Sequence, residues 1–398
     1  MKQLLLLFTL ATLGSFLHSI NAQPKLSENA KISLMTSAPY DDEVFTVYGH
    51  AALRIQDSIQ KIDYIFNYGI FDFSKPNFIY RFAKGETDYI LGVIDYPDYA
   101  IEYLMRGSNI TEQELNLTTE EKNRVWEALC INYKPANRTY RYNFFFDNCA
   151  TRPAAILEKT INGQIKYNYP YQPQTFRDLI NHCTRNHPWL TFGCDLALGA
   201  PTDRLASQHE MLFLPPYLKE AFSTATIINK KGEERSLINK TNIIESGETN
   251  EIEKDIWDIF TPITTAWILF ICIFYITFYE WHKKRYFFLI DFILFAFAGI
   301  AGCILFFISF ISVHPCTFPN WSLLWLQPLD LIAAILFCAK RLKKAAYYYH
   351  FINFAALTLM LLGWHFIPQH LNNAFIPLVA SIWVRSGWGV YRKTWKIG

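Results

Sequence analysis

Five long apolar segments in the last third of the chain constrain its fold more than any other feature. Each is long enough to cross the roughly 30 Å hydrocarbon core of a bilayer at about 1.5 Å of helical rise per residue. They occupy residues 259–279, 287–312, 321–339, 347–367 and 374–391. We therefore expect an all-α transmembrane domain of five helices at residues 258–398.

The charges between these segments predict how the chain crosses the membrane. Residues 282–285, 340–344 and 391–396 are basic, whereas residues 312–321 and 367–373 contain no Lys or Arg. Because Lys and Arg are enriched in cytoplasmic loops, we expect the basic loops and the C-terminus in the cytoplasm. The chain then enters the first segment from outside, so the preceding residues lie outside the cytoplasm.

The N-terminus predicts export independently. Residues 1–22 contain Lys2, an apolar core and the small residue Ala22, which is the pattern of a secretory signal peptide. A retained membrane anchor is the alternative, and it also exports the residues that follow. We therefore expect an exported domain at residues 23–244, joined to the transmembrane domain by a polar linker at residues 245–257.

The exported part mixes strand and helix patterns and predicts an α+β domain. β-rich runs occupy residues 31–39, 44–55, 63–73, 86–95, 109–117 and 140–147. The second and third runs are joined by a polar turn, which predicts a hairpin. Helical patterns follow at residues 97–106, 118–133, 150–160, 173–185 and 205–222. Nothing in the sequence is typical of nucleic-acid binding, and we expect no nucleic-acid partner.

Cys149 lies in "YNFFFDNCATRP", where an apolar run ends and a helix with Pro153 in its first turn begins. The positive end of a helix dipole favours the thiolate, which is the nucleophilic form of cysteine. The backbone N–H groups of Cys149 and Ala150 would be natural donors to an oxyanion at this helix start. The alternative is a small buried residue that fills a gap under the helix.

A cysteine nucleophile requires a base, and His50 in "VYGHAALRI" is the first candidate. It follows Gly49 in a β-rich run, and a glycine there permits close approach of another backbone or a substrate. The next run contains Asn67, our first candidate for the residue that orients the imidazole, with Asp63 and Asp72 as alternatives. An ordinary histidine on the exposed face of an edge strand is the competing interpretation.

The order of these elements, a histidine hairpin followed by a cysteine helix, resembles the circularly permuted papain-like folds of the NlpC/P60 superfamily. Four stretches together also resemble the Lnb family of Bacteroidota: "VYGHAALRI", "FNYGIFDFSKPNFIYRFAKGETDYILGV", "YNFFFDNCATRP" and "LGAPTDRLASQHEMLFLPPYL". The resemblance covers nearly the whole chain.

The resemblance to Lnb implies a lipoprotein N-acyltransferase of the bacterial inner membrane with its catalytic domain in the periplasm. Such an enzyme moves a fatty acyl chain from a phospholipid or other lipid donor to the free amino group of a lipoprotein's lipid-modified N-terminal cysteine. It implies Cys149 as nucleophile and His50 as general base. The expected partners are therefore a lipoprotein, a lipid donor and the membrane.

Other residues carry weaker predictions. Cys183 and Cys194 are candidates for a disulfide in an exported domain. Asp203 and Arg204 are candidates for a lipid headgroup contact, with helix capping by Thr202 or Asp203 as the alternative.

Two charged residues, Asp330 and Arg385, fall inside apolar segments, where charges are rare. They predict either a structural ion pair or lipid binding. The spacing of cysteines and histidines matches no zinc pattern, so we expect neither metal nor cofactor.

Two rival functions remain open. A cysteine amidase or peptidase that cuts peptidoglycan peptides would use the same nucleophile and base. A non-catalytic membrane scaffold would use neither, and its function would not depend on Cys149.

Overall fold

A seven-stranded antiparallel sheet forms the centre of the N-terminal domain. The computed structural model describes residues 24–40, 46–247 and 259–394, so the predicted signal peptide and most of the predicted linker lie outside the described residues. The strands are β1 (Lys31–Ser37), β2 (His50–Asp57), β3 (Ile62–Phe71), β4 (Asp88–Asp95), β5 (Ile110–Leu115), β6 (Thr139–Arg141), β7 (Gln164–Lys166), β8 (Thr226–Ile228), β9 (Glu234–Ser236) and β10 (Ile238–Ile244). The large sheet has the order β10-β5-β1-β2-β3-β4-β6, and β7-β8-β9 form a smaller one.

Helices cover both faces of the large sheet and form the whole C-terminal domain. They are α1 (Phe78–Lys84), α2 (Tyr96–Met105), α3 (Thr119–Tyr133), α4 (Thr151–Thr160), α5 (Phe176–Thr184), α6 (Pro188–Ala197), α7 (Pro215–Thr224), α8 (Pro262–Lys283), α9 (Phe288–Phe306), α10 (Leu329–Cys338), α11 (Lys343–Leu362) and α12 (Phe375–Thr394). The domain at the N-terminal end is therefore α+β, as predicted.

The two faces of the sheet bury different side chains, because successive residues of a strand point to opposite sides. Leu34 and Leu53 face the main core, which helices α3, α4 and α7 cover. Met35 and Ala52 face a smaller core, which α2 covers with Tyr99. The predicted β2–β3 hairpin is confirmed, and its register pairs Leu53 with Phe66. His50 and Asn67 therefore share the face covered by α2.

One predicted strand is wrong. Of the run at residues 140–147, only Tyr140 and Arg141 belong to a strand, β6, and the aromatic residues that follow form a turn. The Asn143 side-chain oxygen accepts hydrogen bonds from the backbone N–H groups of Phe145 and Phe146, at 3.1 and 3.2 Å. This side-chain bond offers the backbone an alternative to the strand ladder. Cys149 thus follows a tight turn rather than a strand.

Helices α8 to α12 pack into an apolar bundle. Among the described residues, four segments are long and apolar enough to cross a membrane: Pro262–Lys283, Phe288–Ile311, Trp321–Cys338 and Lys343–Leu362. The fifth predicted segment forms α12, a 20-residue helix that packs against α8 and α11 and carries Arg385 near its middle. The count of five membrane spans stays a prediction.

The N-terminal domain rests directly on one end of this bundle. Phe192 of α6 packs edge-on against Phe375 of α12, with ring centroids 5.1 Å apart. In the following loop, the backbone N–H groups of Gly199 and Ala200 donate to the carbonyls of Cys316 and Pro319, both at 2.8 Å. A Cβ at residue 199 would overlap the Pro319 carbonyl, which explains the glycine. The two domains are therefore joined through their backbones.

Candidate active site

Asn148 fixes the backbone that carries Cys149. Its side-chain oxygen accepts from the backbone N–H groups of Ala150 and Thr151, at 2.8 and 2.9 Å. Its side-chain nitrogen donates to the carbonyls of Phe144 and Phe213, at 2.7 and 2.8 Å. Asn148 thus holds the backbone that leads into α4 and ties the preceding turn to a distant segment. This role was not predicted, although Asn side chains commonly bond backbone groups two residues further on.

The hydrogen bond from Ala150 to Asn148 contradicts part of the predicted oxyanion site. The Ala150 N–H group already donates to Asn148 and is buried, so it is not free to stabilise a developing negative charge. The N–H groups of Ala51 and Cys149 instead lie near enough to the Cys149 sulfur to help lower its pKa. Ala51 lies opposite Thr36 in the ladder between β1 and β2, and the ladder between β2 and β3 begins only at Leu53. The start of β2 therefore brings a second backbone N–H group near the sulfur.

His50 and Asn67 form a hydrogen-bonded pair across the hairpin. The distance from His50 Nε2 to Asn67 Oδ1 is 2.6 Å. Since the amide oxygen accepts, Nε2 carries the proton, and Nδ1 is left for the thiol. The register places Asn67 diagonally across from His50, at a separation that side chains can span.

Neither alternative to Asn67 faces the histidine. The Asp63 carboxylate pairs with Arg54, with oxygen–nitrogen distances of 2.7 and 2.8 Å. Asp72 accepts a hydrogen bond from the Ser74 backbone at 3.0 Å and closes a turn.

Two glycines make room where the cysteine and the histidine meet. Gly69 lies in a β-bulge of β3 and has φ +97, a backbone conformation that residues other than glycine rarely adopt. A Cβ there would lie 3.6 Å from Cys149 Cβ and 3.9 Å from His50 Cε1. Gly49 has φ +72, and a Cβ there would lie 2.7 Å from the Ser37 carbonyl oxygen. The predicted close approach at Gly49 is therefore made by backbone.

Burial and mutual attraction act in opposite directions on the pKa values of this pair. Burial raises the pKa of Cys149, but the charge of His50 and hydrogen bonds from His50, Ala51 and Cys149 itself outweigh it, and the pKa falls below its ordinary value. Burial lowers the pKa of His50, but the Cys149 thiolate and Asn67 outweigh it, and the pKa rises. The pair therefore favours the thiolate–imidazolium form.

Five tyrosines surround the pair: Tyr89, Tyr99, Tyr103, Tyr140 and Tyr142. Burial, and in each case also the Cys149 charge, raise their pKa values, so their hydroxyls stay protonated. The Tyr103 ring stacks parallel to the His50 ring, with centroids 6.1 Å apart. No local sequence pattern predicts this aromatic wall of five tyrosines, because its members come from α2, β4, β6 and the turn after β6.

The cysteine of the site is nearly buried, whereas its two partners reach the surface. Cys149 is only 9% exposed, and His50 and Asn67 are half-buried. Two surface clefts of about 560 and 660 Å³ lie beside α3 and α4. Among the described residues that line them are Arg124 and Lys159, but neither Cys149 nor His50. The geometry suits a nucleophile shielded from bulk water rather than one in an open groove.

The predicted disulfide is absent, and this prediction is wrong for the present structure. Cys183 and Cys194 are both free thiols. The Cys194 sulfur instead lies 3.6 Å from the Tyr48 hydroxyl. Burial raises the pKa of Cys183 to about 11, so this thiol is neutral near pH 7.

Asp203 and Arg204 make protein contacts rather than a shared headgroup site. Asp203 accepts from Arg177 Nε at 2.7 Å and from the His370 backbone N–H at 3.2 Å, and so helps join the two domains. Arg204 is half exposed and pairs with Glu210 at 2.6 Å.

Asp330 and Arg385 are buried and do not pair with each other. Asp330 accepts from the Tyr349 hydroxyl at 2.6 Å. Arg385 pairs with Asp291 at 2.5 Å and with Glu280 at 2.9 Å. The structure therefore does not support lipid binding by Asp330 and Arg385, because neither side chain reaches the surface.

Comparison with known families accounts for both domains. A family model described as the Lnb N-terminal periplasmic domain matches residues 25–182. A second, described as the Lnb transmembrane domain, matches residues 252–396. No curated protein and no solved structure matches the chain.

Proposed function

The chain belongs to the Lnb family and is a membrane protein with a periplasmic N-terminal domain. On that premise we propose that it is a lipoprotein N-acyltransferase. It moves a fatty acyl chain from a membrane lipid, through a thioester on Cys149, to the amino group of a lipoprotein's lipid-modified N-terminal cysteine. The observation that carries the proposal is the His50–Asn67 hydrogen bond beside Cys149. A cysteine, a histidine and an asparagine from three separate segments are also the residue types that a papain-like site uses, which supports the proposal.

The first half of the reaction forms the thioester. The Cys149 sulfur attacks the carbonyl carbon of an ester in the lipid donor. The C–S bond forms and the C–O bond to the donor's alcohol breaks. The His50 imidazolium gives its proton to the leaving oxygen and becomes neutral. The N–H groups of Cys149 and Ala51 stabilise the intermediate oxyanion.

The second half transfers the acyl chain. The lipoprotein's α-amino nitrogen attacks the thioester carbonyl carbon. The C–N bond forms, the C–S bond breaks, and neutral His50 takes the proton from the nitrogen. The thiolate and the imidazolium are restored together. A site with little exposure to water favours an amine over water as the acceptor, because water would otherwise hydrolyse the thioester.

Within the N-terminal domain the hairpin that carries His50 precedes the helix that follows Cys149. This order of elements supports a permuted papain-like fold. The proposed location is the bacterial inner membrane, with the C-terminus in the cytoplasm. A phosphatase reporter that is active only in the periplasm, fused after Gly398, should give no signal. A strong signal would overturn this orientation.

The mechanism is tested by trapping the acyl-enzyme. The full-length protein is incubated with a phospholipid radiolabelled in its acyl chains, quenched in acid and treated with neutral hydroxylamine. Wild type should carry label that hydroxylamine releases, and Cys149→Ser should carry none, because a hydroxyl is far less acidic than a thiol. Cys130→Ser is the matched control, since burial raises the pKa of this second cysteine to about 11 and keeps it neutral.

The products separate the rival functions. An acyltransferase gives labelled amide on a lipoprotein whose N-terminal amine is free, and an amidase or peptidase gives cleaved peptidoglycan peptides without lipid. Near wild-type transfer by Cys149→Ser would show that the proposed mechanism is wrong.

A further inference from the structure

The short helix α1 exposes large apolar side chains of a kind that a water-soluble domain usually buries. None of the seven residues of α1 is buried. Ile79 is 83% exposed, Tyr80 55% and Phe82 48%, and Phe73 in the preceding loop is 69% exposed. Contiguous apolar surface of this kind marks an interaction site rather than ordinary protein surface.

The position of α1 identifies what covers this surface. The Val313 backbone N–H donates to the Lys84 carbonyl at 2.8 Å, and His314 Nε2 donates to the Phe82 carbonyl at 3.0 Å. Residues 313 and 314 directly follow the apolar segment Phe288–Ile311, at its end nearest the N-terminal domain. The helix α1 is therefore held at the level where a membrane-crossing segment leaves the bilayer.

Aromatic side chains connect α1 to the catalytic cysteine. Phe78 packs against Phe73 and Phe71, with ring centroids 4.6 and 5.6 Å apart. Phe71 packs against Tyr89 at 4.7 Å, and Tyr89 stacks on Tyr142 at 4.1 Å. Tyr89 and Tyr142 belong to the wall around Cys149. The contacts form a continuous series of aromatic rings from the exposed helix to the wall around the nucleophile, along which an acyl chain could pack.

A cluster of cations lies beside the same helix. Lys75, Arg81 and Arg141 all contact one carboxylate, that of Asp88. Burial alone raises the Asp88 pKa, but the hydrogen bonds from Lys75, Arg141 and Arg81 lower it to about 2, so the carboxylate is charged near pH 7. Two further carboxylates lie among these cations, Asp72 near Lys75 and Glu86 near Arg81 and Arg141, so the cluster offers a headgroup exposed cationic donors rather than a large net charge. The Lys75 and Arg141 side chains are about half exposed and are available to a further anion.

We propose that α1 lies in the leaflet facing the N-terminal domain and binds a phospholipid, with its phosphate at the Lys75–Arg81–Arg141 cluster and an acyl chain along Phe71, Phe73 and Phe78 towards Cys149. This assignment rests on the proposed function, for which it names the donor as a phospholipid and the route by which it reaches the sulfur. An exposed apolar helix beside the half-exposed cationic side chains of Lys75 and Arg141 matches a lipid with an anionic headgroup.

The test measures lipid contact without requiring turnover. Full-length Cys149→Ser protein is reconstituted in vesicles that contain a phospholipid with a diazirine in one acyl chain, irradiated and digested. Mass spectrometry should locate lipid adducts on residues 71–82 as well as on the bundle. Adducts confined to helices α8–α12, or a protein–protein crosslink at residues 71–82 instead of a lipid adduct, would overturn the proposal.

Variants sharpen the test. Ile79→Asp should lower the adduct yield at residues 71–82 by about tenfold, because an aspartate is costly to place in the apolar part of a membrane. Ile59→Asp is the matched control, since Ile59 is 65% exposed but lies in the β2–β3 turn, at the far end of the hairpin. An unchanged yield in Ile79→Asp, or an equal loss in Ile59→Asp, would count against the assignment.

The headgroup is tested by comparing two probes. Lys75→Gln should weaken labelling by the diazirine phospholipid and leave labelling by a diazirine diacylglycerol, which lacks phosphate, unchanged. Inorganic phosphate should not compete, because a free anion lacks the apolar chain. Equal effects of Lys75→Gln on both probes would remove the phosphate from the proposal.

The same variants separate this proposal from the proposed function. Ile79→Asp in the wild-type background should form the thioester from phospholipid about tenfold more slowly, while a small water-soluble activated ester should still acylate Cys149 at the wild-type rate. If the rates of acylation by the phospholipid and by the water-soluble ester fall by the same factor, the substitution acts on the nucleophile rather than on lipid access. The proposed lipid route past α1 is then wrong. If adducts form at residues 71–82 but no lipoprotein is acylated, the lipid site stands and the transferase does not.

Discussion

Two of the buried clusters of ionisable side chains, one in each domain, differ in how completely their polar atoms are paired. In the bundle, Arg385 contacts Thr277, Glu280 and Asp291. The carboxylates are held further, by the Phe287 backbone N–H at 2.7 Å and the Tyr286 hydroxyl at 2.8 Å. Every charge there has several partners, which is the condition under which a buried ion pair is tolerated.

In the N-terminal domain, Cys149 and His50 depend mainly on each other. Asn67 and two backbone N–H groups are their other polar partners, and tyrosine rings fill much of the remaining space. Because few bonds compete for the sulfur, it has the freedom that the proposed attack on a substrate requires. The comparison teaches that extensive pairing indicates a structural cluster and sparse pairing a reactive one.

The largest expected effect is that of removing His50. His50→Ala should slow thioester formation by at least about a thousandfold, because the nucleophile and base act as one unit. The wild-type Cys149 pKa is lowered by His50, so alkylation by iodoacetamide should persist at pH values below those at which an ordinary thiol reacts. In His50→Ala the midpoint should move to higher pH. An unchanged alkylation profile would show that the two residues are not coupled.

The next largest effect concerns the bundle. Arg385→Met leaves Glu280 and Asp291 buried without their cation, and it should destabilise the folded protein by about 3–5 kcal/mol. Unfolding in detergent, followed by tryptophan fluorescence, measures the loss. Catalysis by the folded fraction should stay at the wild-type level. A variant that folds normally but loses thioester formation would contradict the structural role of this cluster.

A smaller loss is expected at Asn67. Asn67→Ala removes the acceptor for His50 Nε2 but keeps the base itself, so thioester formation should fall by about ten- to a hundredfold. Because Asn67 also helps to raise the His50 pKa, the upper limb of the pH–rate profile should move to lower pH. Asp63→Asn is a control on the same strand, since Asp63 faces Arg54 instead. Equal losses in both variants would show a general effect on the hairpin.

The smallest effect is expected at Arg204. Its ion pair with Glu210 is half exposed, and such pairs contribute about 0–1 kcal/mol. Arg204→Gln should therefore leave both thermal stability and lipid transfer within experimental error of wild type. A large loss of transfer with unchanged stability would restore the prediction that Arg204 contacts a headgroup.

The sequence predicted the parts of the site that depend on local pattern. His50 and Asn67 lie on adjacent β-rich runs with a short polar turn between them, so alternation and hairpin geometry place them on one face. Cys149 precedes a helix whose start is marked by "ATRP". These positions need only neighbouring residues to be understood.

The predictions that failed depend on contacts between distant residues or on a side chain that competes with the backbone. Asn143 turned an apparent strand into a tight turn, and Asn148 occupied the N–H group assigned to the oxyanion. The partners of Arg385 come from α8 and α9, which no spacing in α12 could indicate. The aromatic wall was invisible for the same reason.

The backbone hydrogen bonds from Gly199 and Ala200 to the bundle also determine how the protein meets its substrates. Side chains add to them: Asn320 and Gln369 donate to the carbonyls of Leu196 and Leu198, at 2.8 and 3.1 Å. Bonds between backbones leave such a joint little freedom, so the proposed function requires the sulfur to work at one height above the bilayer. A lipid and a lipoprotein acted on in this way would reach it by diffusion in the plane of the membrane, and the depth of the reacting group would be selected before its shape.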